Sequence, residues 1–268
     1  MRLYYDGLVV HQSHSDDGVI EVVDMGETRS LHFGTFPRQS SMSLRTPHTL
    51  ELTYTEAMMA CLLINPNPER VLVIGLGGGS LVKFLLHHYP NCQIDVVEYR
   101  QDVINVAHGY FNVPENDPRL NIHVGDGYLF VQQRYHQDDT HYDMLLVDAY
   151  DHVGMAASVG VQAFFDACAG ILTPQGVMSI NLWGTDKPLF KQTMTRINLS
   201  FNGRTMVLPV ENKGNVIGLA MMQTVTQASL KKLRASVEQQ ELKLNINLPK
   251  SLHDLTRQTR PLLSRLFS

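Results

Sequence analysis

Glu98, Asp126 and Asp148 each close or directly follow a short apolar stretch, in Val96-Val97-Glu98, Gly125-Asp126-Gly127 and Val147-Asp148. Ahead of them, Val71-Leu72-Val73-Ile74 runs straight into Gly75-Leu76-Gly77-Gly78-Gly79. A glycine loop between a strand and a helix lets backbone approach a ligand closely. A carboxylate at the end of the next strand, Glu98, can accept both hydroxyls of a ribose. Asp126 is positioned by the same logic to accept from an adenine amino group. A dinucleotide loop needs G-x-G-x-x-G, with a pyrophosphate at the helix N-terminus. Ser80 stands where that pattern needs its last glycine. The loop reads as G-x-G-x-G, which suits an adenosine ligand without phosphate, such as S-adenosylmethionine.

These residues need a scaffold that brings strand ends together. From Val71 onward, strands alternate with helices. The predicted strands are 71–74, 93–97, 120–124, 144–147 and 176–182, and the helices are 80–88, 103–111, 127–135, 160–172 and 187–202. Strands this apolar, separated by helices, predict a parallel sheet covered on both faces. Ligands of such sheets bind beyond the carboxyl ends of the strands. Glu98, Asp126 and Asp148 should therefore share one crevice with the loop. Late strands are expected at 206–209 and 216–222. Upstream, Leu3–Val10, Val19–Val23 and Ser30–Phe33 read as a small antiparallel β unit, residues 37–49 as loop, and Thr53–Ile64 as a helix stopped by Asn65-Pro66-Asn67-Pro68. The division follows as a β-strand unit over 1–50, a Rossmann-like nucleotide-binding catalytic domain over 51–228, and a helical, polar tail over 229–268.

Composition excludes several classes. The chain has 268 residues, 44% of them hydrophobic, and a formal charge of -4. No basic face or Lys/Arg block dominates it, so a nucleic-acid partner is not expected. The run Ala57–Ile64 is too short to span a bilayer, and Met1–Asp6 lacks the apolar core of a signal peptide. Cys61, Cys92 and Cys168 are far apart with no Cys-x-x-Cys, which fits a reducing compartment, and Cys61 and Cys168, in apolar contexts, read as buried thiols. A cytoplasmic protein is the expectation. No His/Cys/Asp spacing resembles a zinc site, and no metal is expected. The adjacent His87-His88 point apart on a helix and read as C-terminal helix stabilisation.

Taken together, the residues resemble the spermidine/spermine synthase (polyamine aminopropyltransferase) family, as a divergent member. The resemblance runs from about Gly34 to Met222. It is carried by Val71–Gly79, by Val97-Glu98 with Val103-Ile104, by Asn116-Asp117-Pro118-Arg119 before Gly125-Asp126-Gly127, and by Tyr142-Asp143 leading to Asp148 and Asp151. Tyr54-Thr55-Glu56 is similar to the family's Tyr-His-Glu, and Gln39 matches its active-site glutamine. The resemblance implies a Rossmann-like, S-adenosylmethionine-dependent methyltransferase fold with a small N-terminal β unit, and a homodimer. It implies transfer of an aminopropyl group from decarboxylated S-adenosylmethionine to a polyamine such as putrescine. Asp148 would be the base, with Tyr54 and Asp151 beside it. Tyr54, Glu56, Tyr150 and Asp151 would hold amine groups, although Asp151 also reads as a turn or helix-cap residue. Gln39, Gly75, Gly77, Gly78, Gly79, Glu98, Asp126, Gly127 and Asp148 would hold the nucleotide.

The chain departs from the family at defined positions. Gly78 stands where the family's loop carries an aspartate, which would pair with the free amine of the decarboxylated cofactor and repel the carboxylate of the ordinary one. Arg100 replaces an acid, Thr55 the histidine of Tyr-His-Glu, and His152 a proline. Two further readings therefore stand beside the first. One is an S-adenosylmethionine-dependent methyltransferase, and the other a nucleotide-binding homologue without turnover.

Overall fold

The computed structural model describes residues 3–137, 141–149, 157–211 and 214–258. The chain opens with an antiparallel sheet whose strands are β1 (Leu3–Tyr4), β2 (Gly7–Ser15), β3 (Gly18–Met25), β4 (Thr28–His32) and β5 (Ser40–Ser43), ordered as in the sequence. β5 lies inside the stretch read as loop. Its Ser-Ser-Met-Ser has no β-branched signal. It becomes a strand by pairing with β4, Leu31 opposite Ser40 and Arg29 opposite Met42. The inner face of this sheet carries Ile20, Val22, Leu31 and Met42.

The second sheet has the order β11-β12-β10-β9-β6-β7-β8. Its strands are β6 (Arg70–Ile74), β7 (Gln93–Glu98), β8 (Leu120–Val124), β9 (Tyr142–Val147), β10 (Leu172–Trp183), β11 (Thr205–Pro209) and β12 (Asn215–Met221). β8, β7, β6, β9 and β10 run parallel, whereas β12 is antiparallel to both β10 and β11. The pleat sends alternate side chains to opposite faces. Val71, Val73, Ile94 and Val96 enter one core, and Leu72, Ile74, Leu145 and Val147 the other. This is why these strands are apolar throughout rather than alternating.

The first core is covered by α1 (Thr53–Met58), the 3-10 turn Met59–Leu63, α2 (Ser80–His88) and α3 (Gln101–Phe111). The second is covered by α4 (Gly127–Gln137), α5 (Gln162–Gly170) and α6 (Lys187–Ser200). α3 also takes the N-terminal sheet on its outer side through Val103, Val106 and Phe111. The helix expected over Thr53–Ile64 thus tightens halfway into 3-10 geometry, with Met59 to Leu63 all buried. The C-terminal helices α7 (Gln227–Lys232), α8 (Arg234–Leu244) and α9 (Leu248–Gln258) are not a detached polar tail. Leu230, Val237, Leu244, Leu252 and Leu255 join the first core. Their wide spacing among charged residues hid an amphipathic face.

After β6 the chain builds outward to β7 and β8, then returns to place β9 on the other side of β6. That reversal opens a crevice at the C-terminal edge, where such sheets bind ligands.

Candidate functional site

Backbone hydrogen bonds lock the crevice floor. Asp148 N–H donates to Ile74 O (2.8 Å), Gly75 N–H to Val97 O (2.9 Å) and Gly125 N–H to Glu98 O (2.9 Å). The ends of β9, β6, β7 and β8 are thereby held side by side. Gly75 has φ +94°, and a Cβ there would lie 2.2 Å from the Asp148 carbonyl oxygen. Only glycine permits so close an approach.

Above this floor lies a cavity of about 1120 Å3, lined by residues of both sheets and of α1. That volume exceeds what a nucleoside needs and leaves room for a second substrate. On one side stand Gly75, Gly77, Glu98, Asp126 and Gly127. Glu98 accepts from Leu76 N–H at Oε2 (2.8 Å) and from Arg100 N–H at Oε1 (3.0 Å). Burial raises its pKa, opposed by the backbone N–H groups of Arg100, Leu76, Gly77 and Tyr99. Asp126 Oδ1 accepts from Tyr128 and Leu129 N–H at 2.8 and 3.1 Å. It therefore caps α4 while also lining the cavity.

On the other side Asp148 sits between two donors. Tyr54 Oη donates to Oδ2 (3.1 Å) and Asn181 Nδ2 to Oδ1 (2.9 Å). Asn215 Nδ2 donates in turn to Asn181 Oδ1 (2.9 Å). Burial raises the Asp148 pKa, and the bonds from Asn181 and Tyr54 work against that rise. Such a carboxylate can take a proton near neutral pH more readily than an exposed one. The Gln39 side of the cavity closes on Tyr54, whose hydroxyl lies 3.4 Å from the Gln39 carbonyl oxygen. Trp183, 43% exposed, lines the same end.

Of the residues expected from the sequence, Gln39, Tyr54, Gly75, Gly77, Glu98, Asp126, Gly127 and Asp148 come together around this cavity. Glu56 does not. Its carboxyl turns away to accept from the Asn247 backbone, and burial raises its pKa, aided by Glu51. The expected substrate contact is corrected accordingly: two positions apart on α1, Tyr54 and Glu56 cannot share a face. Gly78 and Gly79 lie behind the cavity wall, where a Cβ would meet Ser40 Oγ (2.7 Å) and Phe111 (2.9 Å), or Val113 (2.2 Å). Tyr150, Asp151 and His152 fall outside the described residues. Thr55, in place of the family's histidine, is buried and donates to Leu52 O (2.6 Å). Arg100 pairs with Asp102 (2.8 Å) over the Phe33 ring and lines the cavity mouth.

Sequence reasoning missed Asn181, Asn215 and Ser40. Asn181 left a signal, as an amide in the apolar second half of β10, Val177–Trp183, where Ser179 is the other polar residue. Ser40, which lines the cavity beside Ser80 (Oγ to Oγ 3.2 Å), and Asn215 left none, because their role depends on which strand lies beside them.

Among the described residues no group of three or more His, Cys, Asp or Glu could hold a metal. Nor is any helix among them long and apolar enough to cross a membrane.

A family model described as "Spermine/spermidine synthase domain" matches residues 51–211. A polyamine aminopropyltransferase from Chromobacterium violaceum is 34% identical over 222 residues, 83% of each chain. Human methyltransferase-like protein 13, solved in complex with SAH, is 25% identical with a TM-score of 0.62, covering 80% of this chain and 99% of that one. A spermidine synthase solved with the transition-state analogue AdoDATO has a TM-score of 0.64 at 21% identity, covering 84% of this chain and 79% of that one, and supports the Rossmann-like fold. By the extent of the family match and the shared length of its relatives, this chain belongs to the spermine/spermidine synthase family.

Proposed function

We infer that this protein is an aminopropyltransferase that moves the aminopropyl group of decarboxylated S-adenosylmethionine to a polyamine such as putrescine. The observation that carries the reading is Asp148, held between Tyr54 and Asn181 on the far side of the glycine loop from Glu98. The relative from Chromobacterium violaceum bears the name of this activity. Glu98 would accept the ribose hydroxyls, with Asp126 near the base. The acceptor amine would enter beside Asp148, lose a proton to it, and attack the methylene next to the sulfonium. A C–N bond forms, the C–S bond breaks, and neutral methylthioadenosine leaves. Positioning and a base are what this chemistry requires.

A second reading, methyl transfer from ordinary S-adenosylmethionine, is favoured by Gly78 and by the likeness to methyltransferase-like protein 13. One incubation separates the two. Decarboxylated cofactor with putrescine should yield methylthioadenosine and spermidine. Only S-adenosylhomocysteine from the ordinary cofactor would replace the first reading with the second, and nucleotide binding without either product would support the non-catalytic homologue. A homodimer in the cytoplasm completes the proposal, and light scattering at micromolar concentration tests the dimer.

A further inference from the structure

Helix α2 buries a cation. Lys83 stands in Leu81-Val82-Lys83-Phe84-Leu85 and is only 6% exposed. Among the described residues its hydrogen-bond partners are two carbonyls and a thioether, and Nζ also lies 5.8 Å from the Phe111 ring centroid. Nζ donates to Phe111 O (2.6 Å) and Gly78 O (2.9 Å), and lies 3.1 Å from Met42 Sδ. Burial alone lowers its pKa, to about 7. A buried ammonium is costly without hydrogen bonds to replace water. Phe111 is the last residue of α3, so its carbonyl belongs to the negative end of that helix. The side chain thus ties together α2, the end of α3, β5 and the glycine loop.

The contact to Gly78 matters most. In a trans peptide the C=O and the following N–H point in opposite directions. Lys83 holds the Gly78 C=O on one side, and Gly79 N–H donates to Leu76 O (2.8 Å) on the other. Leu76 N–H in turn donates to Glu98 Oε2 (2.8 Å). A continuous run of bonds joins Lys83 to Gly78, Gly79, Leu76 and Glu98. Gly77 and Gly79 adopt positive φ, and glycines have no side chains with which to fix such a turn.

We propose that Lys83 is a positioning residue for the nucleotide: it clamps the Gly78–Gly79 peptide, and through Leu76 it holds the Glu98 carboxylate in the pose that accepts a ribose. The proposal rests on the reading that this cavity takes an adenosine-containing ligand. It does not depend on which group is transferred.

The test is a double-mutant cycle read by calorimetric titration with 5′-methylthioadenosine, with thermal unfolding confirming that each variant is folded. Lys83→Met should weaken binding about tenfold, a change of ~1.4 kcal/mol. In a Glu98→Gln background the same substitution should cost about threefold or less, since residues that act through one another are not additive. Lys83→Gln, which keeps N–H donors but not the charge, enters the same cycle if Lys83→Met does not fold. Additive losses would assign Lys83 to general stability and overturn the proposal, as would unchanged affinity in the single variant. If the unsubstituted protein binds neither 5′-methylthioadenosine nor S-adenosylhomocysteine, the nucleotide reading fails, and this inference with it. Binding with additive losses overturns the inference alone.

Discussion

The two sides of the cavity are built differently. The nucleotide side comes from consecutive strand ends between Gly75 and Gly127, and its contacts are largely backbone: Glu98 is fixed by N–H groups of Leu76 in the loop and of Arg100 after β7, Asp126 by the first turn of α4. The acceptor side is made of side chains from distant parts of the chain. Tyr54 and Asp148 are 94 residues apart, Asp148 and Asn181 33, and Asn181 and Asn215 34. The first arrangement follows from the topology of the sheet and tolerates many chemistries. The second tunes the protonation of one carboxylate, Asp148, and under the proposed function would carry the chemistry itself. Binding and turnover should therefore be separable by substitution.

The largest effect is expected at Asp148. Asp148→Asn removes the proposed base and should lower kcat by ~10²–10⁴-fold, the range general-base catalysis supplies. Its 5′-methylthioadenosine affinity should stay close to that of the unsubstituted protein, and an equal loss of binding would merge the two sides into one. Glu98→Ala breaks the other side. Losing charge-assisted hydrogen bonds worth ~1.5–3 kcal/mol should weaken nucleotide binding about 10–100-fold. Unaffected binding in calorimetry would remove Glu98 from the ribose role.

Asn181→Leu sharpens the comparison through pH. Burial holds the Asp148 pKa above its ordinary value, and the Asn181 bond lowers it. Without that bond the folded-state pKa rises further, so the base form is reached at higher pH. The acid limb of the kcat profile should move upward, with activity recovered at alkaline pH. A limb that stays put would mean Asp148 is not the group titrating. The same raised pKa disfavours the folded state above the unfolded carboxylate range, so removing the charge in Asp148→Asn should raise stability at neutral pH relative to acid.

Gly78→Asp has the smallest expected effect. The new side chain must displace Ser40 and crowd Phe111, an overpacking that typically costs about 1–3 kcal/mol. By pushing aside Ser40, which lines the cavity, the carboxylate would reach the wall and should shift preference toward decarboxylated over ordinary S-adenosylmethionine in competition titrations. An unchanged ratio would separate cofactor choice from this loop position.

Much of the nucleotide side was legible in the residues. The apolar runs marked buried strands, the glycines marked the turn, and the acidic ends marked positions that a parallel sheet must bring together. Tyr54 and Gln39 were reached through family resemblance rather than spacing, whereas Asp148 was placed by its strand end and only its role as base came from the resemblance. Glu56 shows the limit of that route, since the motif Tyr54-Thr55-Glu56 is continuous in sequence but splits between the cavity and Asn247 in space.

By itself, the sequence determined the strand and helix alternation, the loop at Gly75–Gly79 and the order of its carboxylates, because these depend on local periodicity and on the absence of a glycine side chain. Only the tertiary structure decided that Ser40–Ser43 pairs as a strand, that the C-terminal helices seal the core, and that Asn181 and Lys83 matter. Each of those outcomes depends on what a residue is buried against. A buried amide or ammonium takes its meaning from the partners that replace its water, and those partners lie far away along the chain.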